Sequence, residues 1–535
     1  MHFLLGHPGT GKSTWLSRRI ADTVERYGPE SVMAASFTRT AARNLLDPRF
    51  DLPVEPHQVG TIHSFAYNAL PVKLPIADTR ESIAEFNRKH PEYALTGAVR
   101  TIDNPTVEDA GSKANDRLFS RMQCLRNMMV PAGKWPGDVR LFASKWLSHV
   151  EEFGIDFTGI IEKAIALDTG PPPGVEFIFL DEAQDTSMLQ MTLMSKWAGH
   201  AREWHVAGDP NQQLYSFIGV TPETMRFNGL GNDRRTELVV SHRLPRMVRN
   251  FAHSLISRAA RAVKTRYESR DEDGYYGRRS FTYENVEEIV ETADGFEGDT
   301  MILASAGYML DGLIDFMREK GIPFHNPYRP SNGRWNPIRL SGDDGKSVPA
   351  WSRISAFLSE PHSPEPIDKV RKWIEPLAQT GLLKRGAKKR LAEFEEETPD
   401  AVLWNEIFLD HVFSEESAMK RLVEERDLDF YLDRLTKSKA DAYAYPASLA
   451  KRYGADVFGK RPGTIVGTIH STKGAQADNV ILFPDLSPAA SRELKTPEGW
   501  DAAIRMFYVG ATRARRNLFL ASPATGRCMR LHERI

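Results

Sequence analysis

HFLLGHPGTGKSTWLSRRI (residues 2–20) reads as strand, loop and helix in immediate succession. HFLLG is a short apolar run, HPGTGK a glycine-containing loop, and the stretch after it repeats Leu16, Ile20 and Val24 at four-residue spacing, the signature of one helix face. Within it GHPGTGKS (6–13) fits the pattern GxxxxGK[ST] in the strand-to-helix setting that the pattern requires. Glycines let backbone N–H groups approach phosphate oxygens, Lys12 brings positive charge to the outer phosphates, and Ser13 offers a hydroxyl to a magnesium ion. Gly6, His7, Pro8, Gly9, Thr10, Gly11, Lys12, Ser13 and Thr14 are therefore the expected nucleotide-binding set.

The pattern outside this loop sets the fold class. SVMAASF, VEFIFLDE and REWHVAGD read as short buried strands separated by helical spans, which indicates a mostly parallel sheet in an α/β lobe. TMILASA, then LDGLIDFMREKG, IPFHN and later TIVGTIHS, repeat the rhythm and predict a second α/β lobe. Long polar-helical runs such as ESIAEFNRKHPEYAL interrupt the first lobe, and a Pro-, Trp- and charge-rich region interrupts the second. The expected division is 1–75 with 166–250 for the first lobe, 76–165 for its helical insertion, 251–326 with 461–535 for the second lobe, and 327–460 for a helical or irregular insertion in it. VGTIHS occurs twice, at 59–64 and 466–471, which points to two related lobes with equivalent strand ends.

Bulk composition narrows the classes. A chain of 535 residues exceeds what one core usually organises. Lys plus Arg (70) nearly balance Asp plus Glu (71), so any basic footprint must be local. Cys124 and Cys528 stand alone without ligand spacing, against a disulfide framework or a zinc site, and no apolar run reaches bilayer-spanning length. A soluble protein of a reducing compartment is expected, cytoplasmic or at a nucleoid or viral replication site, with no membrane partner.

FIFLDEAQD delivers Asp181 and Glu182 to the carboxyl end of a strand, the edge where α/β sheets bind ligands. Asp181 joins Ser13 as a magnesium-shell ligand, and Glu182 orients or deprotonates an attacking water. With the loop at Gly6 this makes a nucleoside triphosphate hydrolysis site. Arg243 and Arg513, each near a strand end and a helix start, are the candidates for transition-state charge.

Taken in order, the segments resemble the UvrD/Rep/PcrA-type DNA helicases of superfamily 1. SFTRTAARNL looks like motif Ia, VGTIHSFA like the DNA-contacting motif after it, and FLDEAQD like Walker B. GDPNQQLYSFIGV is similar to motif III, VVSHRLP to motif IV, VGTIHSTKGAQADNVILF to motif V and FYVGATRARRNLFL to motif VI. The resemblance implies two RecA-like lobes, ATP with Mg2+ as the nucleotide, and single-stranded DNA or single/double-strand junctions as the track. It also implies that Gln212 senses the γ-phosphate with Arg243 and Arg513, that His242 and Gln476 lie near base and sugar, and that Thr38, Arg39, His63, Thr468, His470 and Lys473 touch the strand. Tyr215 and Phe217 fall at stacking positions, with core packing as the competing reading of both rings.

The chain departs from the pattern at His242, where a tyrosine is common, at Gln476, where glutamate is common, and at Ile218, where arginine is usual; no upstream glutamine motif precedes the loop. Basic stretches at 257–270, 382–390 and 437–454 suit either phosphate contact or a solvated helix face. The resemblance leads to an ATP-dependent helicase or translocase moving 3′ to 5′ in replication, repair or recombination. Two alternatives stay open: a non-unwinding motor subunit of a larger nuclease or defence complex with a protein loading partner, and a P-loop switch ATPase binding protein partners.

Overall fold

The computed structural model describes residues 1–37, 42, 45, 52–96, 114–221, 234–329, 332–338, 348–359, 365–403, 411–437 and 439–531. Thr38 and Arg39 lie outside the described residues. The chain forms two compact units: Met1–Ser280 with Leu303–Tyr308 and Thr468–Ile535, and Phe281–Ile302 with Met309–Gly467. The P-loop and the segments resembling motifs III, IV and VI thus share one unit, a division different from the lobe boundaries expected above.

Six strands build the first sheet: β1 (His2–Gly6), β2 (Val32–Ser36), β3 (Val59–Thr61), β4 (Phe177–Asp181), β5 (Glu203–Gly208) and β6 (Arg234–Leu238). Their order is β3-β2-β4-β5-β1-β6, every neighbouring pair parallel. Strands buried on both faces explain the near-continuous apolar runs. Val32, Ala34, Phe177, Phe179 and Ala207 pack with Leu16, Ile20 and Val24 of α1 (Lys12–Tyr27). The alternate residues Met33, Ala35, Ile178, Leu180 and Val206 pack on the opposite face with Ile62, Ile160, Leu193 and Trp197. Period-2 alternation therefore assigns each strand residue to one of two cores.

Topology places the chemistry. β5 lies between β1 and β4, so the segment leaving β5 emerges between the P-loop after β1 and the acids after β4. Residues 80–166 carry helices, among them Arg80–Lys89, Ala114–Asn127, Gly137–Phe153 and Phe157–Ala166. They enclose a core of their own with Phe86, Phe119, Phe142 and Trp146 at its centre.

A second, five-stranded sheet contains β7 (Tyr275–Arg278), β8 (Thr300–Ala304), β11 (Thr464–Thr468), β12 (Ala477–Leu482) and β13 (Ala514–Leu520), in the order β11-β8-β12-β13-β7. β12 with β13 and β13 with β7 are parallel. A short antiparallel pair, β9 (Glu365–Pro366) with β10 (Val402–Leu403), sits in the region expected to be helical or irregular. Around it run helices Ala350–Leu358, Ile367–Ile374, Ala387–Glu397 and Ala440–Tyr453. The chain is α/β with two parallel sheets, as two RecA-like lobes require. IPFHN, expected as a strand, makes only a single bridge from His325 to Ile465.

The repeated hexapeptide proves to be one local structure used twice. Thr61 Oγ1 accepts from the Ser64 backbone N–H at 3.1 Å while Ser64 Oγ donates to the Thr61 carbonyl at 2.7 Å. Thr468 and Ser471 repeat both bonds at 3.2 and 2.8 Å. In each case a strand-ending threonine caps the next turn, which gives the Thr and Ser of the repeat the same local role at both sheet edges.

Candidate functional site

β1 ends at Gly6, and the loop reverses through Gly9 (φ 76°) and Gly11 (φ 87°), both left-handed, before α1 begins at Lys12. That conformation is one only glycine adopts without strain. Gly9 has a second reason: a Cβ there would lie 2.4 Å from Arg243 Cβ and 2.8 Å from Ser241 Oγ. The loop is gripped from that side, with His242 N–H donating to the Gly9 carbonyl at 2.8 Å and Ser241 Oγ and Tyr267 Oη donating to the Pro8 carbonyl at 2.8 and 2.9 Å. His7 stacks on the Tyr267 ring at 4.1 Å. Its buried imidazole is held below its ordinary pKa by desolvation, with Asp209 opposing.

Lys12 Nζ donates to the Gly6 carbonyl at 2.7 Å. Ser13 Oγ donates to Asp181 Oδ2 at 3.0 Å, joining the start of α1 to the end of β4 across the sheet. Hydroxyl and carboxylate are hard oxygen donors of the kind magnesium takes, with the rest of its shell left to phosphates and water. Among the described residues no three His, Cys, Asp or Glu side chains converge on a metal position.

Asp181 is pushed up to about 6 by burial and by the neighbouring Glu182 charge, against the pull of Lys12. Glu182 moves the other way. Burial disfavours its charge, but Lys473, Lys12, the Gln184 amide and Arg513 outweigh it and hold the carboxylate below its usual range. Two adjacent acids are thus driven apart in proton affinity. Glu182 also has φ 53°, a left-handed conformation costing a non-glycine residue about 1 kcal/mol or more. Gln184 fixes it, donating to Glu182 Oε2 at 2.5 Å while accepting from the Asp209 N–H at 3.0 Å.

The segment after β5 completes the arrangement. Gln212 Nε2 donates to Asp209 Oδ2 at 2.8 Å, and its Oε1 accepts from Arg513 Nη2 at 3.2 Å. Arg513 is a buried cation, its Nε and Nη1 groups also donating to the Val509 and Ala475 carbonyls at 2.9 and 3.1 Å. Arg243 Nε donates to Gln476 Oε1 at 2.9 Å and its Nη1 to the Thr512 carbonyl at 3.3 Å. His242 is exposed, its ring 4.0 Å from where a Gly11 Cβ would be.

Residues 1–218 match the family described as an AAA domain. The ATP-dependent DNA helicase UvrD2 of Mycobacterium tuberculosis is 25% identical over 253 residues, 41% of this chain and 35% of its own length. ATP-dependent DNA helicase srs2 of Schizosaccharomyces pombe is 23% identical over 381 residues, covering 60% and 42%. The Staphylococcus epidermidis ATP-dependent DNA helicase PcrA is 26% identical over 249 residues, covering 40% and 32%. The chain is thus similar to UvrD-like DNA helicases of superfamily 1. The matches span less than half the length of each of these relatives.

The residues expected along a strand separate into groups. Lys473 reaches the nucleotide side: its ammonium pairs with Asp185, lies 3.8 Å from Glu182 and donates to the Gln212 carbonyl at 3.1 Å. It also sits over the Tyr215 ring, 5.3 Å from the centroid. Tyr215 is only 2% exposed, packed on Phe37 at 5.0 Å, so its ring is core rather than an open platform. Phe217 is half-buried and meets the half-buried His470 at 5.9 Å. Thr468 is buried as a cap, and His63 is buried edge-on to Phe157, 3.4 Å from the Gln190 amide.

Asp185 is the residue that sequence reasoning left unassigned. Burial pushes it up to about 7 against the pull of Lys473. Its signal was present in FLDEAQD, three residues past Glu182, but only the fold shows that a cation from beyond β11 reaches it. Among the described residues no helix is long and apolar enough to cross a membrane.

Proposed function

We propose that the chain is an ATP-driven motor on single-stranded DNA that moves 3′ to 5′ and separates strands or displaces bound protein. The observation that carries this reading is the junction at Gln212, whose side chain meets Arg513 and whose carbonyl meets Lys473, the same lysine that covers Tyr215. Nucleotide-side and ring-bearing positions are thereby joined through one short segment.

In this reading Gly9, Gly11 and the N–H groups of the loop cradle the phosphates, and Lys12 exchanges its bond to the Gly6 carbonyl for the outer phosphates. Ser13 and Asp181 would hold Mg2+, which when bound would neutralise phosphate charge. Glu182, ionised at neutral pH and fixed by Gln184, aligns and deprotonates the water. Arg513 and Arg243 stabilise charge developing on the transferred group, and Gln212 relays its presence. Movement of Gln212 shifts the 3-10 turn Ser216–Ile218 behind it and with it Phe217. A stacking ring holds any base without reading sequence, which suits a track of arbitrary sequence.

The test is ATP hydrolysis by the purified chain with and without single-stranded DNA, followed by strand displacement on 3′-tailed and 5′-tailed DNA and RNA duplexes. DNA-stimulated hydrolysis with displacement of the 3′-tailed duplex is expected. Stimulation without displacement would assign a translocase that works inside a larger assembly, and no stimulation would remove the motor reading.

A further inference from the structure

The helix Ala114–Asn127, in the first helical insertion, ends in an unusual way. Val130 N–H donates to the Leu125 carbonyl and Met129 N–H to the Arg126 carbonyl, both at 2.9 Å, the paired bonds of a Schellman ending. The residue that must then be left-handed is ordinarily glycine; here it is Met129, at φ 57°. Met129 is 45% exposed and its neighbour Met128 40% exposed. The sequence therefore accepts backbone strain and apolar exposure at one point, a combination that folding alone does not favour.

The position explains what the pair faces. Gly219, at φ 88°, closes the 3-10 turn that carries Phe217, and a Cβ on it would lie 2.6 Å from the Cys124 carbonyl and 3.0 Å from Met128 Cγ. The methionine step is thus seated directly against the Phe217 turn. Thr192 Oγ1 donates to the Met129 thioether at 3.2 Å, and Arg126 anchors the helix end to Asp156 and Glu162. Along the same helix, Arg117 and Arg121 are exposed four residues apart, Arg121 two turns before Met128. Cations followed by uncharged, polarisable side chains match a strand with phosphates on one side and bases on the other.

We propose that Met128 and Met129 form a nucleobase-contacting step that extends the Phe217 surface onto the helical insertion, with Arg117 and Arg121 against the phosphates. This rests on the reading of the chain as a single-strand DNA motor. Thioethers are soft and unbranched, so they follow successive bases without preferring one.

The experiment measures binding of fluorescent oligo(dT), and of an abasic strand of equal length, to the full chain and to a Met128→Ser/Met129→Gly variant. Met129→Gly relieves the left-handed strain, so a thermal melt at or above that of the unaltered chain keeps misfolding out of the comparison. The variant should bind oligo(dT) about three- to tenfold more weakly, bind the abasic strand as the unaltered chain does, and keep its DNA-independent ATP hydrolysis. Equal affinity for oligo(dT), or the same loss on both strands, overturns the methionine step alone. Absence of binding by the unaltered chain overturns the motor reading with it.

Discussion

The guanidinium of Arg513 donates to the side-chain oxygen of Gln212 at 3.2 Å, although 301 residues separate them in sequence. Arg513 is buried and also donates to the Val509 and Ala475 carbonyls, so these bonds and the Gln212 contact together orient its charge. Arg513→Ala should lower kcat for ATP hydrolysis about 10³-fold or more, with a smaller loss in Gln212→Ala, as read from steady-state turnover at saturating DNA. A full-rate Arg513→Ala enzyme would dismiss the assignment of transition-state charge to this residue.

Glu182→Gln keeps the size and hydrogen-bonding reach of the side chain but removes its basicity. Turnover should fall about 10²- to 10⁴-fold while nucleotide and DNA binding persist in equilibrium titrations. Glu182→Gly, relieved of the left-handed penalty, should melt at a higher temperature and be equally inactive.

Lys473, its ammonium 3.8 Å from Glu182 Oε2, is the strongest of the cations that keep Glu182 ionised. Removing a cation raises a carboxyl pKa, so in Lys473→Met the base form of Glu182 should be lost at higher pH than in the unaltered enzyme. The acid limb of the kcat–pH profile is expected to move upward. An unmoved limb would show that Lys473 serves only Asp185 or the strand.

Gly9 and Gly11 share a left-handed backbone but not a neighbourhood. A methyl at Gly9 meets Arg243 Cβ at 2.4 Å, whereas one at Gly11 finds its nearest atom, on His242, at 4.0 Å. Gly9→Ala should therefore cost more stability than Gly11→Ala and abolish binding of a fluorescent ATP analogue. Thermal melts of the two variants make the comparison.

Two buried histidines should withdraw stability on acidification, opposed in the same window by Asp181 and Asp185, whose raised values favour the folded chain as pH falls. Burial holds His205 and His325 at about 4 in the folded chain, each below the ordinary histidine value. Between about pH 6.5 and 4 the unfolded chain takes up protons at these positions that the folded chain refuses, so falling pH favours unfolding, by at most about 3 kcal/mol per residue. The contribution of the two histidines is full above their unfolded pKa and lost as pH drops through this window. Urea unfolding at a series of pH values checks it, and His205→Gln with His325→Gln should flatten the slope.

Much of this was legible in the chain. GHPGTGKS and FLDEAQD could be read as a loop between strand and helix and as acids at a strand end because each is a short contiguous stretch, and short apolar runs and four-residue apolar spacing named β1, β4, β5 and α1. The doubled VGTIHS was visible, while its cause, a threonine–serine cap at two strand ends, needed coordinates. Lys473 and Tyr215 were expected on the strand side, yet a lysine is long enough to reach Asp185 and a ring can turn inward; side-chain direction depends on packing, not on motif position. The strand order that sets Gln212 between Ser13 and Asp181, the meeting of Arg513 with Gln212, and the seating of Gly219 on Cys124 and Met128 are all long-range contacts. Sequence by itself determined which groups can do chemistry, because that is local covalent identity. Only the tertiary structure decided which of them meet, because parallel sheets join strands that the chain keeps far apart.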